Sequence, residues 1–60
     1  MNKLSTADLE AAYDLIADGI DRAGEAQTRL FLAKLSFALA DRLGDLRELR
    51  AAIDAALKDL

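Results

Sequence analysis

The chain has 60 residues, a net charge of −3, and neither cysteine, histidine nor proline. That composition excludes a disulfide framework, a cysteine- or histidine-built zinc site, a thiol nucleophile and the usual catalytic triads. A chain this short buries only about 60% of the surface its unfolded form exposes, so an oligomer, a protein partner or unusually good helix packing is expected to support it.

The first predicted element is a helix over about residues 6–23. Ser5 is its expected N-cap, Asp8 stands three positions on as an acidic capping-box partner, and Leu4 and Leu9 are spaced as a hydrophobic staple. Leu9, Tyr13, Ile16, Ile20 and Ala23 recur at helical spacing and form the expected core stripe. The Tyr13 ring is expected to pack there with its hydroxyl at the rim. Gly24 is the expected stop. Gly19 shares a flank with Ala12 and Ala23, a set of small residues that admits a close neighbour, and is read as a packing position. Leu15 lies off the main stripe.

A second helix is predicted over about 26–43, ended by Gly44. Glu25 suits its positive N-terminal end and is spaced to pair with Arg29. The helix is apolar nearly all round: Leu30–Ala40 contains one charge, Lys34, and one hydroxyl, Ser36. On a helical wheel Phe31, Leu35, Ala38 and Leu39 form one arc, flanked by Leu32 and Leu43. Leu30, Ala33, Phe37 and Ala40 form another, roughly opposite Leu35. Two readings follow. Either Leu30 and Phe37 lie beneath a neighbouring helix, or Leu30, Ala33, Phe37 and Ala40, with Leu15 of the first helix, form an exposed patch for a second chain. Ser36 is expected to bond back to a backbone carbonyl.

A third helix is predicted over about 46–59, capped by Asp45 with Glu48 three residues on. Leu46, Leu49, Ile53, Ala56, Leu57 and Leu60 make its apolar stripe. Arg50–Asp54 and Asp54–Lys58 are spaced as i,i+4 pairs. With two short connections, the expected fold is all-α: one domain, 1–60, as a small up-down-up three-helix bundle. The alternative is a helical hairpin that completes its core as a dimer.

Charge is unevenly placed. Residues 1–21 hold five acids and one base, a net of −4, and residues 22–60 hold six acids and seven bases, a net of +1. Glu10, Asp14, Asp18 and Asp21, continued by Glu25, make an acidic stripe along the first helix. It is read as a solvated face or as an electrostatic docking strip for a basic partner. A straight stripe on a convex helix offers no ligand cage and no apolar wall to tune a carboxyl group. No catalytic residue, cofactor site or metal site is therefore expected. The balance also argues against nucleic acid, which needs a basic face. No apolar leader and no membrane-length run is apparent, so a cytoplasmic protein away from the membrane is expected.

The stretches "KLSTADLEAAYDLIADGID", "LFLAKLSFALAD" and "AAIDAALKDL" resemble a family of very short bacterial helical proteins known only as a domain of unknown function. Members tend to be encoded beside flavin-dependent aromatic-ring hydroxylases. The resemblance implies a non-catalytic accessory or coupling subunit of a larger enzyme, with no catalytic residue to carry over. The alternative is a self-associating structural or regulatory module, a homodimer in its simplest form.

Overall fold

The structure, a computed structural model, describes residues 3–58 and residue 60. The expected domain, 1–60, includes Met1 and Asn2, and the expected third helix reaches Asp59; these three residues lie outside the described ones. The fold is a small all-α three-helix bundle: α1 (Thr6–Ala23), a 3₁₀ turn (Glu25–Gln27), α2 (Thr28–Leu43) and α3 (Leu46–Lys58).

Local signals set the helix ends. Ser5 has extended backbone geometry, and its Oγ accepts the Asp8 N–H at 3.1 Å, which satisfies one of the orphan donors of α1. Gly24 closes α1 with φ 85°, donating its N–H to the Ile20 carbonyl at 3.1 Å. No Ser, Thr, Asn or Asp stands at Ala26 or Gln27 to cap a helix there. The chain instead tightens into the 3₁₀ turn, with the Gln27 N–H donating to the Gly24 carbonyl, before α2 begins. Gly44 ends α2 in the left-handed region (φ 68°, ψ 21°), where a Cβ would be strained. Asp45 follows at once. Its Oδ1 accepts the N–H of Arg47 at 2.8 Å and, at a longer 3.4 Å, that of Glu48.

The helices pack as an open bundle. The central helix α2 meets α1 on one side and α3 on the other; among the described residues, α1 and α3 do not approach one another. Contacts gather near the two corners. The radius of gyration is 12.6 Å, against about 10.4 Å for a closed domain of this length. The accessible surface is 5772 Å², against about 3,800 Å² for a closed 6.5 kDa globule and about 9,400 Å² for the extended chain. Folding thus hides about 39% of the surface where about 60% is usual. Among the described residues no side chain is fully buried.

The packing face of α1 keeps the Ile20 and Ala23 end of the expected stripe and departs from it toward the N-terminus. Ala12, Gly19, Ile20 and Ala23 are half-buried, whereas Leu9 is exposed and Tyr13 is 74% exposed. The expected packing of the Tyr13 ring is therefore corrected. The small-residue flank, rather than the aromatic one, turns toward α2, because a smooth helix surface lets the Phe31 ring come close. A Cβ built on Gly19 would lie 2.5 Å from Phe31 Cζ. Phe31 and Leu35 form the half-buried side of α2.

The expected ion pairs are also corrected. Among the described residues the pairs formed are Asp18–Arg22 and Asp45–Arg47, each at 3.7 Å. Glu25 opens the 3₁₀ turn and Arg29 lies in α2, so the two do not share one α-helical i,i+4 spacing. Arg50, Asp54 and Lys58 are exposed, where such pairs gain too little to hold long side chains in one geometry.

Two predictions follow from these contacts. Gly19→Ala gains about 1 kcal/mol in helix propensity but meets an overpacking cost of about 1–3 kcal/mol against Phe31. It should destabilise the protein by about 1 kcal/mol in the wild type and stabilise it by about 1 kcal/mol in a Phe31→Ala background. Urea unfolding at fixed protein concentration reads both; equal effects in the two backgrounds would remove the contact. Asp45→Ala should cost about 1 kcal/mol, and Asp45→Asn only a small part of that, because the amide oxygen still accepts the two N–H groups.

Candidate functional site

Between α2 and α3 lies an open groove of about 500 Å³. The α2 wall is made by Ala33, Ser36, Phe37, Leu39, Ala40 and Leu43. The α3 wall is made by Leu49, Ala52, Ile53 and Ala56. None of these residues carries a charge. Ser36 donates its hydroxyl to the Leu32 carbonyl at 2.8 Å, so its proton is already engaged within the helix.

The groove is open because the connection between its walls is short. Gly44 terminates α2 and Asp45 caps α3, so both linking residues are fully used by the helix ends. The walls touch near this corner, where Leu43 and Leu49 are half-buried, and remain apart farther along. Phe37 stands on the α2 wall with 78% of its surface exposed. Facing it across the groove are short side chains, Ala52 and Ala56.

Of the five apolar residues expected to form a patch, Ala33, Phe37 and Ala40 line this groove together. Leu30 lies two turns before Phe37, nearly in line with it on α2, and is half exposed at 53%. Leu15 is 74% exposed but belongs to α1, outside the groove. The α3 residues Leu49, Ala52, Ile53 and Ala56 were legible only as an amphipathic stripe. Helical spacing reveals which side of α3 is apolar, but not that α2 covers so little of it.

The acidic residues lie elsewhere. Glu10, Asp14, Asp18 and Asp21 are all exposed on α1, and Asp18 is the member paired with Arg22. They follow one another along a convex surface. Among the described residues no three potential metal ligands converge. Among the described residues no helix is long and apolar enough to cross a membrane.

The stripe is exposed and its one ion pair, Asp18–Arg22, lies at the surface, where such pairs contribute little. Replacing Glu10 by Gln and Asp14, Asp18 and Asp21 by Asn should change stability by no more than about 0.5 kcal/mol per site. Chemical denaturation measures this; a much larger loss would show that the carboxylates hold the fold together. Comparison with protein-family models, curated proteins and solved structures finds no match to this chain.

Proposed function

We propose that this protein is a non-catalytic interaction module, an accessory or coupling subunit of a larger enzyme. The observation that carries the reading is the accessible surface: 5772 Å², about 1,900 Å² beyond that of a closed globule of this mass. Large apolar side chains are part of this exposed surface. Phe37, Tyr13, Leu15 and Leu46 are each more than two-thirds exposed, far more oily surface than a solitary small domain usually carries. Such a surface lowers its free energy by being covered with another polypeptide.

The enzyme that best fits is a flavin-dependent aromatic hydroxylase, on the strength of the sequence resemblance. In that role the chain supplies binding surface and positioning rather than reacting groups. The acidic stripe on α1 gives the encounter its orientation, because exposed carboxylates attract a basic patch over about a Debye length and raise the association rate. The place of action is inside the cell, in the aqueous phase, with neither nucleic acid nor membrane as the partner.

Affinity purification of the tagged protein from cells that naturally make it should recover a flavin-containing hydroxylase in a fixed ratio. Adding the pure chain back to that enzyme should raise the fraction of reducing equivalents that ends in hydroxylated product. Recovery of the chain without such an enzyme, or an enzyme indifferent to its addition, counts against the role. Reversing charge with Asp14→Lys and Asp18→Lys should slow association about tenfold or more at low ionic strength, with the difference shrinking as salt is added.

A further inference from the structure

We infer that the groove between α2 and α3 is filled by a second copy of this chain, in a two-fold dimer in which the Phe37 ring of each copy enters the groove of the other. The inference rests on the reading of the protein as an interaction module and names the occupant of this groove. Three observations favour a second copy.

The first is shape. An interface related by a two-fold axis must be complementary to itself, so one patch has to carry both the projection and the recess. Here both are present on one surface. Phe37 projects from the α2 wall with 78% of its area exposed, and the recess beside it is floored and walled by the methyl groups of Ala33, Ala40, Ala52 and Ala56. An aromatic ring seated among alanines packs without displacing a larger side chain.

The second is area. Two separate chains of 5772 Å² expose about 11,500 Å² between them, whereas a closed globule of about 13 kDa exposes about 6,300 Å². The difference, about 5,200 Å², falls in the upper part of what obligate homodimers bury, roughly 2,000–5,000 Å² or more. A standard-sized heteromeric interface covers about 800 Å² per partner. That would leave more than half of the surplus on this chain in water.

The third is charge. The chain carries a net −3, so two copies repel unless they meet away from the acids. No residue lining the groove is charged, and Glu10, Asp14, Asp18 and Asp21 lie on α1, which forms neither wall. Residues 22–60, which form both walls, carry a net +1. Pairing through the groove keeps the acidic stripes of the two copies outside the contact between the α2 and α3 walls.

Sedimentation equilibrium across a dilution series should give a two-chain mass that falls toward one chain on dilution, with a melting temperature that rises with protein concentration. Phe37→Asp should weaken the dimer by at least about thirty-fold. Because that variant can lose its fold along with its partner, a second measurement uses the wild type: in a mixture of isotope-labelled and unlabelled chains, inter-chain nuclear Overhauser contacts should join the Phe37 ring to the methyl groups of Ala52 and Ala56. A one-chain mass at every concentration overturns the inference, as does a dimer lacking those inter-chain contacts. A monomer whose Phe37 becomes covered only on adding the hydroxylase also overturns it, while sustaining the accessory role. A dimer with the expected contacts that binds no enzyme sustains it and removes that role.

Discussion

The Phe31 ring resting on Gly19 is the contact around which the packing of this chain is arranged. A central helix that is apolar on almost every side has to choose which arc to give to each neighbour. The missing side chain at position 19 settles the choice for α1, because it lets the ring approach a bare stretch of helix. Dispersion between closely packed atoms then favours the flank of Ala12, Gly19 and Ala23 over the bulkier Leu9–Tyr13 side. That places the opposite arc of α2, with Phe37 near its centre, away from α1.

The second corner works differently. Gly44 and Asp45 both serve the ends of the helices they join, and no slack residue remains between them. The helices therefore start together and open outward. The resulting groove is a consequence of two well-made caps rather than of any special residue along its walls. Local stability at the corner and exposed apolar surface beyond it have the same cause.

The molecule also separates its two kinds of surface. Carboxylates are concentrated on α1, and the uncharged groove is built from α2 and α3. Electrostatic interactions act over about 8 Å at physiological salt and set how partners approach. Apolar burial acts only at contact and sets how long they stay. The charged and the apolar surfaces thus stand on different helices, and no charge lines the groove.

The helical class and the punctuation were legible in the residues themselves. Ser5, Gly24, Gly44 and Asp45 act within a few positions of where they stand, so their roles as caps and stops depend on local geometry alone. The back-bond of Ser36 and the packing role of Gly19 are equally local or steric. The sequence also showed that α2 is apolar nearly all round. It did not show which arc each neighbour takes, that Tyr13 faces water, or that α3 supplies the other wall of the groove. Periodicity reports the side of a helix that is apolar; how far that side is covered depends on the angle between helices, and only the tertiary structure fixes that angle.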